Sequence, residues 1–270
     1  MSSAIPRLHQ SIAKTLVYEC PAVAKAQYDA EVRKPSRAME KGTLVDQLVF
    51  GGANFHVIDA RYKSGPRKGE PVTDMAGGDA PAQAAEARSK GMVPVLPDDL
   101  EKARALAGNI KSRLMMEGID LEKCHKQETI QWTSAEGVEC EGTPDLSIGK
   151  TTIDLKCGHT ANPDKLEQHL YDMGWHIQAA AYQEAVSLHY HPDAPGQGRH
   201  YLVCAETKSG ADCITIAPLS PAYIELGMKA WRRAQFIWMK CWETNEWPEY
   251  TTRPLQPTRN AMFREGMEFR

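Results

Sequence analysis

Asp145, Asp154, Lys156, Gln178 and Tyr182 are the side chains whose types and spacing point to chemistry. Two carboxylates and an ammonium meeting at one spot can hold Mg²⁺ through oxygen ligands and activate water against a phosphodiester. The carbonyl of Leu155, on the adjoining backbone, could add a further oxygen ligand. Lys156 could orient the attacking water or stabilise the charge that builds on the phosphate. Without a cation, two neighbouring carboxylates repel and one is driven towards protonation. Gln178 and Tyr182 stand four apart and so share one helix face. Ala179, Ala180 and Ala181 let that helix approach a sheet closely. Glu128, on a preceding strand, is a candidate third acid, although an exposed edge-strand glutamate explains it equally well. An isolated aspartate with a later Asp-x-Lys would be an ordinary surface ion pair. The glutamine and tyrosine give the set its weight.

These side chains need a particular scaffold. Val138 to Ile148 and Thr151 to Cys157 are rich in strand formers, and Gly149-Lys150 separates them, so they read as a hairpin. Asp145 and Asp154 then face each other, and strand alternation puts Lys156 on the face of Asp154. A further strand is expected near Glu128–Thr133. Helical periodicity covers residues 8–30 with a break at Cys20-Pro21, then 38–50, ending at Gly51-Gly52. Residues 61–80 are basic and rich in glycine and proline and read as a mobile loop, with a helix over 81–90 at its far end. Asp98-Asp99-Leu100-Glu101 resembles a capping box opening a helix to about 117. Asn162-Pro163 opens another that runs to Leu188 with a bend at Gly174. Strands follow over 199–206 and 211–217, and Ser220-Pro221 caps a last helix to about Glu243. Leu219 and Ile224 stand ready to staple its start. Strands with helices before, between and after them imply an α/β fold with a mixed central sheet. The expected organisation is one domain over 1–270, with a helical region to about 60 and a catalytic core at about 120–245.

Composition narrows the classes. The net charge of −3 is not that of a protein held to DNA by bulk electrostatics, yet a local basic patch can still serve a nucleic-acid substrate. Lys63, Arg67, Lys68, Arg232 and Arg233 are the candidates for backbone contact. Seven cysteines, an odd number without a CxxC pair, argue against a disulfide framework and a zinc ribbon. His159, His169 and His176 follow no common zinc spacing. Trp231, Trp238, Trp242 and Trp247 read as core and interface rather than as base-stacking platforms. No apolar run is long enough for a transmembrane helix, and the N-terminus lacks a secretory h-region, so a cytoplasmic location is expected.

Pro144-Asp145, Asp154-Leu155-Lys156 and Gln178-x-x-x-Tyr182 together resemble the PD-(D/E)XK nuclease superfamily. Within it, Tyr171-Asp-Met-Gly-Trp-His176-Ile-Gln178-Ala-Ala resembles the RecE (exonuclease VIII) C-terminal nuclease domain and its phage exonuclease branch. The likeness extends to Gly42-Thr-Leu-Val-Asp46, to Trp231-Arg-Arg-Ala and to Glu246-Trp-Pro-Glu-Tyr250. It implies a restriction-endonuclease-like core and a Mg²⁺-dependent deoxyribonuclease, with Mn²⁺ able to substitute. The activity implied is 5′-to-3′ exonuclease digestion of linear double-stranded DNA, leaving 3′ tails for a single-strand annealing protein. It also implies a homo-oligomer and a bacterial or phage-infected cell. Much of the branch carries a histidine where this chain has Asp46; an aspartate there can bind the metal or a metal-bound water. A related branch holds an iron–sulfur cluster, but Cys204, Cys213 and Cys241 are too scattered for its grouped cysteines, and no cluster is expected. An endonuclease or flap-processing nuclease on the same scaffold, and a catalytically silent DNA-binding or assembly protein, remain the alternatives.

Overall fold

The computed structural model describes residues 5–30, 36–158, 160–193, 196, 198–207 and 213–252. His159 and the expected strand start at Ala211 lie outside them. In chain order the elements are β1 (Leu8–His9), α1 (Gln10–Tyr18), α2 (Pro21–Asp29), α3 (Arg37–Phe50), β2 (Phe55–Val57), α4 (Ala80–Ser89), β3 (Val93–Val95) and α5 (Pro97–Met116). A 3₁₀ turn at Leu121–Lys123 leads to β4 (His125–Lys126), β5 (Ile130–Thr133), β6 (Glu139–Gly142), β7 (Leu146–Ile148) and β8 (Thr151–Gly158). Then come α6 (Pro163–Asp172), α7 (Trp175–Tyr190), β9 (His200–Glu206), β10 (Ile214–Pro218) and α8 (Pro221–Thr244). The result is the expected α/β architecture with a mixed sheet.

The principal sheet has the order β10-β9-β8-β7-β4. Only β8 and β9 in it run parallel, and α6 and α7 supply the long crossover that a parallel pair needs. A second sheet, β1-β6-β5, sits beside it, and β2 and β3 form a small parallel pair.

The hairpin turn at Gly149 forms as its sequence predicts, with φ 53° at the glycine. The run from Val138 to Ile148 is not one strand, however. It breaks at Thr143-Pro144-Asp145, so β6 joins the smaller sheet and β7 the larger. Pro144 has no N–H to give a ladder, which suits the point where the chain changes sheets. The expected bend at Gly174 is a full break between α6 and α7, with the glycine left-handed at φ 63°. The start of α5 also differs. Pro97 takes the first helical position behind Leu96, which makes no side-chain cap, so the expected capping box does not form. Proline fits there because its missing N–H would have been unpaired anyway.

Helices cover both faces of β8. On one side Ile153 and Leu155 pack with Leu44, Val49, Leu106 and Ile110 of α3 and α5. On the other, α7 is wedged between the sheets and α8, with Ala179, Ala180 and Ala181 fully buried. A Cβ at Gly227 would lie 2.0 Å from the His176 carbonyl oxygen, so α8 approaches α7 closer than any side chain allows. Glu184 ties the layers together. Its Oε2 accepts from Trp132 Nε1 of β5 at 2.9 Å, Trp231 Nε1 at 2.8 Å and Gln235 Nε2 of α8 at 3.2 Å. These contacts fix the register of α7, the helix that carries Gln178 and Tyr182.

The basic segment before α4 folds back on itself. Tyr62 N–H and carbonyl bond to Glu70 and Gly69, and Arg67 stacks on the Tyr62 ring. Among the described residues, no helix is long and apolar enough to cross a membrane.

Candidate active site

The site lies where β7 stops and β8 runs on. Their ladder ends at Leu146↔Ile153, beyond which β8 keeps only β9, as far as Gly158↔Glu206. Asp145 fills the vacated position. Its Oδ2 accepts the Leu155 N–H at 2.7 Å. The N–H and C=O of one strand residue point the same way, so the Leu155 carbonyl also faces this gap.

Asp154 is buried, with 2 % of its surface exposed. Its Oδ2 lies 2.5 Å from Lys156 Nζ, and its Oδ1 accepts from Gln178 Nε2 at 2.8 Å. The same amide nitrogen donates to the Tyr182 hydroxyl at 3.2 Å. Tyr182 lies close against Gly142, where a Cβ would come within 3.0 Å of its ring. Trp175 closes the other side, its ring 5.8 Å from Lys156 Nζ.

The electrostatics are those of an over-acidic cleft. Burial pushes the Asp145 carboxyl well up, and repulsion from Asp154 adds to this against the pull of Lys156 and the Leu155 N–H. Burial likewise raises Asp46 from 3.8 to about 7, with Lys156 opposing and Asp154 reinforcing the shift. Burial disfavours the Lys156 ammonium, but Asp154, Asp145 and Asp46 outweigh it and hold its pKa above the ordinary value. Three aspartates therefore act together on the Lys156 cation.

A family model described as "PDDEXK-like domain of unknown function (DUF3799)" matches residues 10–253. The chain belongs to this family. It is thus a member of the PD-(D/E)XK nuclease superfamily that its central motif resembles. A crystal structure of a candidate exonuclease from Eubacterium rectale is similar over 95 % of this chain and 92 % of that one, with a TM-score of 0.60 at 15 % identity. That likeness is one of fold. A phage-related exonuclease from Haemophilus somnus aligns over 89 % of this chain and 97 % of its own, with a TM-score of 0.39 at 12 % identity, too distant to carry weight. No curated protein matches the chain.

The PDDEXK-like fold brings together Asp145, Asp154, Lys156, Gln178, Tyr182 and the Leu155 backbone, and α3 delivers Asp46 within electrostatic reach. Glu128 is not part of it. Gln127 takes a positive φ of 48°, and β5 begins only at Ile130, so Glu128 precedes the strand it was expected to open. It is exposed and bonds His125 Nδ1 at 2.9 Å, outside the contacts that join the aspartates, Lys156 and Gln178. Among the expected DNA contacts, Arg67 pairs with Glu70 at 2.9 Å and Arg232 with Glu136 at 3.5 Å, while Lys63, Lys68 and Arg233 are exposed.

Among the described residues, no three His, Cys, Asp or Glu side chains are arranged as a preformed metal cage. The donor set nonetheless suits a hard divalent cation. It is all oxygen, it carries excess negative charge, and magnesium is commonly held by one or two carboxylates with waters and substrate phosphates completing the shell. A cavity of about 330 Å³ between α3, α5 and β3 holds none of these side chains, and two of its lining cations, Arg37 and Lys41, pair with Asp99.

Two neighbours of the site carry no signal in the sequence. Lys14 of α1 reaches Gln178 Oε1 at 3.5 Å. Buried His200 bonds Thr152 Oγ1 at 2.8 Å beneath the cluster, and burial lowers its pKa to about 4, so it stays neutral. Lys14 is distant in sequence from every motif, and only the packing of α1 on α7 brings it in.

Proposed function

We propose that this chain is a divalent-metal-dependent deoxyribonuclease, acting as a 5′-to-3′ exonuclease on linear double-stranded DNA. The observation that carries the chemistry is the Lys156 ammonium held 2.5 Å from Asp154 inside a cleft of three aspartates. Asp145, Asp154, the Leu155 carbonyl and Asp46 would hold Mg²⁺, or Mn²⁺ in its place. When bound, the cation would polarise a phosphoryl oxygen and make water nucleophilic near neutral pH. Lys156, kept charged by the acids, would orient the attacking water and stabilise negative charge on the phosphate. Gln178 fixes the Asp154 carboxylate through its amide and is itself steadied by Tyr182. Trp175, packed over Lys156, limits where that amine can move.

Polarity and end-dependence are supported by the resemblance of the Trp175-His176-Ile177-Gln178 helix and its flanks to the RecE nuclease domain. On this reading the chain is one nuclease domain with its catalytic core at about 120–245. Its 3′-tailed product would suit a single-strand annealing protein, and a homo-oligomer could enclose the duplex. The test compares linear with covalently closed circular duplex in Mg²⁺. Degradation of the linear form alone, from its 5′ ends, supports the proposal. Nicking or linearisation of the circle would replace the exonuclease with an endonuclease, and no cleavage of either would refute both.

A further inference from the structure

We propose that Lys14 is a substrate contact, its ammonium taking up a phosphate close to the scissile one on the same strand. This deepens the nuclease reading and rests on it. Lys14 projects from α1 into the cleft beside Gln178, the residue that also holds Asp154. Its stem is seated tightly. A Cβ at Gly174 would lie 3.1 Å from Lys14 Cγ and 2.9 Å from the Tyr18 ring, so the left-handed glycine leaves room for both. Tyr18 then locks α1 to the end of α6, its hydroxyl donating to the Tyr171 carbonyl at 2.6 Å.

The position is costly for a cation. A half-buried ammonium is normally offset by a carboxylate. Among the described residues no ion pair involves Lys14; its polar contact there is a neutral amide oxygen at the 3.5 Å limit of a hydrogen bond. Lys156, which does have its carboxylate, lies near enough to repel it. Burial, and then that repulsion, lower the Lys14 pKa to about 8, against a weaker opposing pull from Asp154. Two ammonium groups at one cleft, of which Lys156 alone has a carboxylate partner among the described residues, are complementary to a strand that brings successive phosphates. The scissile phosphate would meet Lys156, and a neighbouring phosphate would give Lys14 an anionic partner.

The experiment uses the full chain and its Lys14→Met variant, which keeps the aliphatic stem and loses the charge. Circular dichroism checks the fold of the variant, and Lys14→Gln replaces it should it unfold. Fluorescence anisotropy measures binding to linear duplexes in Ca²⁺, each duplex carrying one neutral methylphosphonate linkage at a successive position from the end. Wild type should lose about tenfold in affinity at one particular position, as expected for one charge-assisted contact. In Lys14→Met that position alone should carry no penalty, while the penalties elsewhere persist. Should every penalty survive in the variant, or should wild type show no sensitive position, Lys14 merely supports Gln178 and the proposal fails. Cleavage of the unmodified duplex in Mg²⁺ is scored separately. Its absence would remove the nuclease reading while the binding pattern still reported on Lys14.

Discussion

Asp46→Asn tests the claim that the cleft buries a carboxyl at a cost that a cation would relieve. The fold raises the Asp46 carboxyl from 3.8 to about 7, burial being the main cause. A carboxyl whose pKa rises on folding favours the folded state when protonated. That contribution is complete at low pH and is lost as the pH climbs from about 4 through about 7. Linkage across this window gives a loss of about 3 kcal/mol between pH 5 and pH 8. An asparagine has no proton to lose and escapes it. In urea unfolding with EDTA, the wild type should therefore lose about 3 kcal/mol relative to Asp46→Asn between those two pH values. The variant should be the more stable protein at pH 8. Because the same comparison is made at both pH values, groups independent of Asp46 cancel. Millimolar Mg²⁺ at pH 8 should stabilise the wild type more than the variant. Parallel pH curves for the two proteins would refute the placement of Asp46 as a buried carboxyl of this cleft.

Asp145→Asn and Asp154→Asn should each weaken Mg²⁺ or Mn²⁺ binding at least tenfold by calorimetry, consistent with the loss of one oxygen ligand of a hard cation. Gly227→Ala should destabilise the protein by about 2 kcal/mol or more in urea unfolding, because the new methyl overlaps the His176 carbonyl and prises α8 from α7. The same substitution at Gly108, where an added methyl would meet nothing within 4 Å, should instead be neutral or slightly stabilising.

Local chemistry explains which parts of this structure were legible in the sequence. The turn at Gly149, the break at Cys20-Pro21 and the Ser220-Pro221 helix start are each set by residues within a few positions, and each appears as expected. A hairpin relates Asp145 to Asp154 and Lys156, and one helical turn relates Gln178 to Tyr182, but the meeting of the two groups depends on how α7 docks on the sheet. What escaped depends on distant packing. β1 exists because Leu8 and His9 find Cys140 and Glu141, and β2 exists because it finds β3. The change of sheet at Pro144 was hidden in a run that reads as continuous strand. Glu128 lies before β5 and pairs with His125, a contact that the strand pattern does not announce. Lys14 enters the cleft only through the docking of α1 against α7, which no periodicity in either helix announces.

The central claim is that Lys156 and the acids around it cleave phosphodiesters with a divalent cation, and end-labelled linear duplex tests it most directly. Wild type should release labelled nucleotides in Mg²⁺ and none in EDTA, while Lys156→Ala, folded by circular dichroism, should fall by about a thousandfold or more. Undiminished cleavage by Lys156→Ala, or cleavage by wild type that EDTA leaves untouched, would contradict it.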